Sequence, residues 1–233
     1  MPRQTPPNRI RDLLEAATRV FIRQGYRRAQ MADVAQELGV AKGTLYLYVE
    51  SKEALFDHAI RYAAGELADP DALPLPLATR PPDALQRDLE RVLAEAGMPD
   101  SLASGLPERL GPKTARACLE TILRDVFGLL SRFRTAIKLI DRCELESTEL
   151  GQTFYRDGRA ALVAALANVL DAGAQQGAFR RYPDPLVAAR FVSESLTTWA
   201  VHIHWDPAPQ EIPPAVAEET AIQMLLAALL PPD

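Results

Sequence analysis

Apolar residues recur at every third or fourth position along most of this 233-residue chain, which is the spacing of amphipathic helices. The first such segment, residues 9–24, carries Ile10, Leu13, Val20 and Phe21 on one face. Further helices are predicted at residues 31–38, 42–49, 52–66, 82–96, 114–131, 132–144, 153–176, 185–204 and 213–230. No segment alternates convincingly between apolar and polar residues, as half-buried strands do. The pattern therefore predicts an all-α fold.

Prolines mark where these helices stop. None occurs between Asn8 and Asp69 or between Lys113 and Tyr182, whereas clusters occur at residues 70–82, 99–112 and 207–214. Because an interior proline costs a helix about 3 kcal/mol, we expect helices in the proline-free blocks and connections in the clusters. The cluster at 70–82 is longer than a typical helix connection, which favours a mobile segment or a lid.

Residues 29–55 have the spacing of a helix-turn-helix. Ala35 is small at the point where two helices must cross closely, and Gly39 permits the left-handed backbone that ends a helix. Val40 then fills the turn, and Leu45 faces inward from a second short helix. A short turn containing glycine is what the DNA-binding form of this motif needs. An ordinary helical hairpin is the alternative, which the combination of offsets disfavours.

Charge is distributed unevenly along the chain. The formal net charge of −5, taken as a whole, argues against nucleic acid. Residues 1–61, however, carry ten Lys and Arg against seven Asp and Glu, a balance of +3 that leaves −8 for the rest of the chain. Positive charge is therefore concentrated on the part that holds the helix-turn-helix.

The sequence contains no amino-terminal apolar region and no uninterrupted apolar stretch near 18 residues. We therefore expect a cytoplasmic protein that is neither secreted nor associated with a membrane. Cys118 and Cys143 lack the spacing of metal ligands and are expected to be small buried residues rather than a redox pair.

Several short motifs in the first 60 residues occur in one register. Phe21 to Tyr26 reads Phe-x-x-x-Gly-Tyr, and it is followed by Asp33-Val34-Ala35, Gly39-Val40, Gly43-Thr44-Leu45-Tyr46 and Ser51-Lys52-Glu53-Ala54-Leu55. This run resembles the amino-terminal DNA-binding domain of the tetracycline-repressor (TetR) family. The later stretches 149–155 and 177–180 are similar to the carboxy-terminal domain of many members.

The resemblance implies an all-helical homodimer that binds a palindromic operator and leaves it when a small ligand occupies a carboxy-terminal pocket. It also implies two domains, a three-helix DNA-binding domain at 1–51 and a helical ligand-binding and dimerisation domain at 52–233, connected by a helix at 52–66. The expected function is that of a ligand-responsive transcriptional regulator, most simply a repressor. Its expected partners are double-stranded operator DNA, a small-molecule effector and a second copy of the chain.

The residues expected to contact DNA lie at the start of the second helix, in the recognition helix and at the start of the fourth helix. Lys42 lies at a helix amino end, where the positive potential already favours phosphate. Gly43 allows close backbone approach, and Thr44 can offer a hydroxyl or a methyl group. The full predicted set is Gln30, Lys42, Gly43, Thr44, Tyr46, Leu47, Tyr48 and Lys52.

The sequence departs from the family pattern at several neighbouring positions, among them Leu47 and Tyr48, which stand where an aromatic residue and a His are frequent. Ala29-Gln30 stands where a Thr-Ser or Thr-Thr cap is frequent, and Ala41 stands where Ser or Thr commonly caps the recognition helix. The loss at Ala41 corresponds to roughly 1 kcal/mol of helix stability. Glu50 replaces a common proline and would repel a phosphate if it pointed at one.

Effector and dimer residues are predicted on the later helices. The resemblance places the effector among carboxy-terminal helices, where the apolar candidates are Cys118, Ile122, Phe127, Phe133, Ile137 and Tyr155. The expected ligand is a mostly apolar small molecule with few polar anchors. One recognition helix reads too few base pairs for useful specificity, so we expect a two-fold dimer across half-sites about 34 Å, or a multiple of that, apart. Its predicted interface, a four-helix bundle, comprises Ala161, Leu162, Ala165, Leu166, Val169, Val192, Leu196, Trp199 and Ile203.

No catalytic constellation, cofactor motif or metal site is predicted. His202 and His204 are two residues apart on a helix and point to different sides, which makes them a poor metal pair. No glycine-rich phosphate loop and no nucleophile elbow occurs. Two alternatives remain open, a helical small-molecule-binding protein that has lost operator binding and a small helical enzyme with an uncharged pocket. The lack of an acid, base or nucleophile weighs against the enzyme.

Overall fold

The computed structural model describes residues 9–81, 83–143, 153–206 and 211–232, and helices dominate these ranges. The eleven α-helices of the described residues are α1 (Arg9–Gln24), α2 (Met31–Leu38), α3 (Lys42–Leu45), α4 (Lys52–Ala63), α5 (Ala84–Ala96), α6 (Asp100–Ala103), α7 (Pro112–Arg132), α8 (Arg134–Cys143), α9 (Ala160–Gln175), α10 (Pro185–Ala200) and α11 (Pro214–Leu229). Short 3-10 helices occur at Pro70–Ala72 and His202–Trp205, and Thr153–Arg159 is π-helical. The predicted all-α fold is confirmed.

The recognition helix is shorter than the prediction of 42–49. Regular helix ends at Leu45, and the chain continues as turns through Tyr48, whose N–H donates to the Leu45 carbonyl at 2.8 Å. Val49 then forms an isolated bridge with Leu77. The helix stops early because residues 48–50 pair with another segment of the chain instead of continuing the spiral.

The chain divides into two compact units, one within Met1–Ala94 and Thr135–Phe154, the other within Glu95–Arg134 and Tyr155–Asp233. The helix α4, predicted as the connection between two domains, packs against α1 in the first unit. The predicted boundary at residue 51 divides the sequence by function and stays a prediction.

The first unit is built around α1. Its buried face, which includes Leu13, Leu14 and Phe21, contacts α2 and α4. Phe21 lies edge-on to Phe56 with ring centroids 5.3 Å apart. At the carboxyl end of α1, Arg142 of α8 donates to the Ile22 carbonyl at 2.9 Å, which satisfies one of the acceptors that a helix end leaves unpaired.

The proline-rich segment, described from Pro70 to Pro81, contacts the first unit. Pro70 and Leu77 are buried, and the Ile10 N–H at the start of α1 donates to Asp71 Oδ1 at 2.7 Å. Helix α4 ends at Ala63, seven residues before the first proline of the segment, and Leu77 between the prolines is buried.

The second unit consists mainly of α7, α9, α10 and α11. Helix α10 packs against α7, α9 and α11, and α7 also contacts α11. Gly173 of α9 lies under the Phe179 ring, so closely that a Cβ at this glycine would be 2.0 Å from Phe179 Cδ2. Its small size therefore serves packing within one chain. None of the described helices is long and apolar enough to cross a membrane.

Candidate nucleic-acid interface

The turn between α2 and α3 has the geometry that its sequence predicts. Gly39 adopts a left-handed conformation (φ 71°, ψ 35°), and the Val40 N–H donates to the Ala35 carbonyl at 2.9 Å. Ala35 and Leu45 are buried, which confirms that the two helices meet through these side chains. A left-handed residue ends one helix and reverses the chain, so α3 crosses α2 within a few residues.

The solvent-accessible side of α3 and the turn after it carries most of the residues predicted to contact DNA. Tyr46 is 46% exposed and Leu47 is 68% exposed, both large apolar side chains without cover from this chain. Lys42 and Gly43 are exposed at the amino end of the helix, and Thr44 is half-buried. A cation at this end, followed by exposed aromatic and aliphatic groups, suits contact with phosphates and base edges.

Tyr48 is placed differently from Tyr46. It is half-buried, and the Arg9 guanidinium carbon lies 5.8 Å from its ring centroid. Tyr46 is therefore the more accessible of the two tyrosines.

The caps of α2, α3 and α4 differ in quality. At α2, the Gln30 N–H donates to Asp33 Oδ2 at 2.8 Å, so a carboxylate three residues ahead replaces the missing hydroxyl cap. At α4, Ser51 Oγ accepts from the Ala54 N–H at 3.0 Å. At α3, Ala41 supplies no side-chain cap. The recognition helix is thus the one of these three helices that lacks side-chain support at its amino end.

Lys52 lies at the start of α4, where the sequence predicts a phosphate clamp. Its Nζ lies 4.4 Å from the Tyr26 ring centroid and donates to the Arg27 carbonyl at 3.3 Å. The aromatic ring and the carbonyl restrict the ammonium group, so a phosphate would meet a positioned charge. The role of Lys52 in binding DNA stays a prediction.

The Glu50 carboxylate accepts a hydrogen bond from within the chain. Its Oε2 accepts from the Thr79 N–H at 2.8 Å. The carboxylate that sequence analysis treated as a source of phosphate repulsion therefore has a structural use.

Positive charges on α1 are partly neutralised from α2. Arg19 Nε lies 2.8 Å from Glu37 Oε1, and Arg23 Nη2 lies 3.2 Å from Glu37 Oε2. The hydrogen bond from Arg19, aided by Arg23, holds the pKa of Glu37 below its ordinary value. Glu37 thus remains ionised, and these two arginines are committed to the contact between the helices.

The predicted effector residues are distributed over both units. Cys118, Ile122 and Phe127 lie on α7, the first half-buried and the others buried. Phe133 and Tyr155 are half-buried in the second unit, whereas Ile137 is buried in the first. Their shared role in binding an effector stays a prediction.

The residues predicted for the dimer face differ in burial within the single chain, and their role in a dimer stays a prediction. Leu162, Leu166, Val169, Val192 and Leu196 are buried within the single chain. Helices α9 and α10 pack against each other, so these side chains are covered without a second copy. Of the other predicted interface residues, Ala161 is exposed and Ala165, Trp199 and Ile203 are half-buried.

The described residues leave a different apolar surface uncovered on α10 and α11. Phe191 is 67% exposed and Met224 is 69% exposed. The remaining large members are Leu186 and Val187 on α10 and Val216 on α11. We call these five residues the exposed apolar stripe. The helical spacing of Val187 with Phe191, and of Val216 with Met224, could have identified it from the sequence.

Comparison with protein families gives two matches. Residues 13–59 match a model described as bacterial regulatory proteins, tetR family. Residues 112–229, half of the chain, match a model described as the carboxy-terminal domain of AefR-like transcriptional repressors.

Curated relatives are similar over different lengths. The fatty acid metabolism regulator protein of Bacillus subtilis (strain 168) is 32% identical over 57 residues, which are 24% of this chain and 29% of that protein. The first three curated relatives are each matched over less than a third of their own length. The HTH-type transcriptional repressor KstR2 of Rhodococcus jostii (strain RHA1) is 23% identical over 195 residues, 83% of this chain and 78% of the relative.

Solved structures share the fold at low identity. The probable transcriptional regulatory protein RHA5900 has a TM-score of 0.59 and 21% identity, over 96% of this chain and 100% of the other. KstR2 of Mycobacterium tuberculosis has a TM-score of 0.53 and 18% identity, over 98% of both chains. AibR, in complex with isovaleryl coenzyme A and operator DNA, has a TM-score of 0.51 and 18% identity, over 94% of this chain and 99% of the other.

Proposed function

This chain belongs to the TetR family of bacterial regulatory proteins, and from that premise we propose that it is a ligand-responsive repressor that binds a palindromic operator as a homodimer. Its family and its relatives are transcriptional regulators, not enzymes. The proposed site of action is the cytoplasm, where the operator lies.

The observation that carries the DNA-binding proposal is the exposed surface of α3. Lys42 at the start of α3, and Tyr46 and Leu47 in the turn that follows it, are accessible, whereas Leu45 on the inner side of the helix is fully buried. A cation at a helix amino end attracts phosphate, while exposed apolar groups can contact a thymine methyl group in the major groove. Gln30, Gly43, Thr44, Tyr48 and Lys52 complete the proposed contact set.

The dimer proposal is supported by the exposed apolar stripe on α10 and α11. Side chains as large as Phe191 and Met224, exposed on neighbouring helices, favour an interface because contiguous exposed apolar surface is uncommon on monomers. Two such helices from each subunit would make a four-helix bundle. The two-fold axis would place two recognition helices on successive major grooves of a palindrome.

The proposed effector is a mostly apolar small molecule bound in the carboxy-terminal part of the chain. Cys118, Ile122, Phe127, Phe133, Ile137 and Tyr155 are the proposed contacts. The AibR structure, which holds isovaleryl coenzyme A, supports including acyl thioesters in a ligand screen. A compound that releases the protein from DNA would identify the effector.

Selection of bound fragments from random double-stranded DNA tests the proposal. We expect a palindromic consensus whose half-sites are about one helical turn, or a multiple of it, apart. Lys52→Ala should weaken binding to all sequences equally and lower the salt slope by about one, because it removes one phosphate contact. Lys42→Ala and Tyr48→Ala should also change sequence preference.

The same experiment decides between repression and the second candidate, a small-molecule-binding protein that has lost operator binding. The observation in favour of that candidate is the uncapped start of α3 at Ala41. Failure to enrich any sequence would favour it. Unchanged affinity of all three variants for an enriched sequence would instead contradict the contacts proposed for Lys42, Tyr48 and Lys52.

A further inference from the structure

The segment from Pro70 to Arg80, which we call the strap, contacts three parts of the first unit. Its first contact is with α1. Asp71 Oδ1 accepts from the Ile10 N–H at 2.7 Å, so the strap satisfies a donor at the start of that helix. Pro70 is buried beside it. This contact fixes the beginning of the strap.

The second contact is with the chain that leaves the recognition helix. The Leu77 N–H donates to the Tyr48 carbonyl at 2.8 Å, and the Glu50 N–H donates to the Leu77 carbonyl at 3.1 Å. Between these two bonds the Val49 and Leu77 side chains are 0% and 1% exposed. Two backbone hydrogen bonds around a buried apolar pair hold residues 48–50 in one position.

Side chains extend the same contact toward α4. The Thr79 N–H donates to Glu50 Oε2 at 2.8 Å, and Thr79 Oγ1 lies 2.9 Å from Ser51 Oγ. Ser51 also caps α4 by accepting from the Ala54 N–H. The strap therefore contacts Glu50 and Ser51, the two residues between Val49 and α4.

The third contact is an ion-pair junction at the end of the strap. Arg80 Nη1 lies 3.2 Å from Asp57 Oδ2 on α4 and 2.7 Å from Asp88 Oδ2 on α5. Burial opposes the ionisation of Asp88, but Arg80, Arg61 and Arg91 together hold its pKa below the ordinary value. One guanidinium thus joins the strap to two helices.

Helix α3 needs such outside support. It contains four residues and has no side-chain cap, whereas isolated helices below about 12 residues are marginal in water. The turn at Gly39 holds its amino end. Its carboxyl end leads directly into residues 48–50, which the strap holds.

We infer that the strap is a positioning element for DNA recognition, with Leu77, Thr79 and Arg80 holding the carboxyl end of α3 at the angle that DNA binding requires. This inference rests on the proposed function. None of the three residues needs to touch DNA for the effect. If the strap detaches, α3 samples more orientations, and the fraction of protein that is competent to bind falls, which raises the apparent Kd in proportion.

Leu77→Asp, with Leu75→Asp as its matched control, tests directly whether the strap holds residues 48–50 in position. Both variants put the same charge on the strap, but Leu77 is 1% exposed and Leu75 is 39% exposed. Amide hydrogen exchange of the full-length protein should accelerate at least tenfold in residues 46–51 for Leu77→Asp, with unchanged helix content by circular dichroism. Its affinity for the duplex selected by the parent should fall at least tenfold, and Leu75→Asp should stay within about twofold of the parent.

Thr79→Val and Thr79→Ser supply a milder pair, in case Leu77→Asp does not fold. Valine keeps the shape of threonine and removes the hydroxyl, so exchange in residues 48–51 should accelerate about fivefold, the ratio that corresponds to one lost hydrogen bond. Serine keeps the hydroxyl and should restore the parent rate. The affinity for the duplex selected by the parent should fall in Thr79→Val and recover in Thr79→Ser, because a merely structural role would change the exchange rates and leave the affinity unchanged.

The possible outcomes distinguish failure of the positioning role from failure of the proposed function. Faster exchange in Leu77→Asp together with unchanged DNA affinity would overturn the positioning role, and so would unchanged exchange in both Leu77→Asp and Thr79→Val. If the parent selects no duplex, the proposed function fails and the positioning role fails with it, but the exchange rates still reveal whether the strap holds residues 46–51.

Discussion

The two units expose apolar side chains on very different supports. In the first unit, Tyr46 and Leu47 extend from the end of a four-residue helix without a side-chain cap. In the second unit, the exposed apolar stripe lies on α10 and α11, each 16 residues long. A short helix takes its orientation from its neighbours, whereas long packed helices are stable along their own length. The DNA-facing surface should thus respond to changes elsewhere in its unit, and the stripe mainly to changes in itself.

A charge placed on the exposed apolar stripe tests this comparison most directly. Phe191→Asp should convert a dimer to a monomer in sedimentation at micromolar concentration, because an interface centred on Phe191 would bury the new carboxylate unpaired. Operator affinity should fall by about 100-fold or more, since a monomer contacts one half-site. Helix content should remain unchanged, because Phe191 is 67% exposed in the single chain.

Ala161→Glu is the matched competitor for this test. Ala161 is exposed on α9, in the face that the sequence predicted for the dimer. If Ala161→Glu abolishes the dimer and Phe191→Asp does not, the interface lies on α9 and the role proposed for the stripe is wrong.

A second prediction concerns how the second unit uses its small residues. Gly173→Ala should lower the free energy of unfolding by about 1–3 kcal/mol, because the new methyl group would overlap the Phe179 ring and force repacking. The sedimenting mass should stay that of a dimer. Gly128→Ala on α7, where an added Cβ meets nothing within 4 Å, should instead stabilise by about 0.5–1 kcal/mol. If Gly173→Ala lost the dimer while its unfolding temperature stayed unchanged, Gly173 would be assigned to the dimer interface instead.

The sequence predicted the helix-turn-helix but not which surfaces of the second unit are covered within the chain. The offsets of Ala35, Gly39 and Leu45 predicted the helix-turn-helix because local geometry alone determines that motif. Periodicity likewise found the apolar faces of α9 and α10, but it cannot say what covers a face. Leu196 was assigned to the dimer for this reason, although its own chain buries it.

The strap was missed for a related reason. Leu77 contacts residues nearly 30 positions earlier through backbone atoms, and no side-chain pattern records such a pairing. Proline spacing predicted that α4 would end but gave no direction for the chain that follows. The starts of α2, α4 and α10 agreed with the prediction, whereas α3, α4 and α10 ended three or four residues earlier than predicted.

A third prediction compares one histidine in each unit. Burial lowers the pKa of His58 in the first unit, and burial together with Arg134 lowers the pKa of His204 in the second. Asp57 opposes the effect at His58, while Arg61 and Arg80 add to it. In both cases the unfolded chain binds the proton more readily than the folded protein does. The histidine contribution to stability is therefore complete above pH 6.5, the ordinary pKa, and is lost as the pH falls below it toward the folded pKa.

Unfolding by urea at several pH values between 7.5 and 5 checks this prediction. As the pH falls, the free energy of unfolding should decrease less steeply in His58→Gln than in His204→Gln, because His58 is buried and His204 is exposed. Equal slopes for His58→Gln and the parent would show that His58 does not control the pH response.

The smallest expected effect comes from adding the cap that α3 lacks. Ala41 has the extended conformation of a helix cap (φ −69°, ψ 143°), and Ser51 shows that a serine in this role caps α4. Ala41→Ser should therefore raise the free energy of unfolding by about 0.5–1 kcal/mol and slow amide exchange at Gly43 and Thr44. Ala41→Val, which has no acceptor, should give neither change. If neighbouring segments already hold α3 in its binding orientation, the better cap should leave operator affinity within about twofold of the parent. A gain of fivefold or more would mean that α3 frays before binding and that its neighbours do not hold it sufficiently.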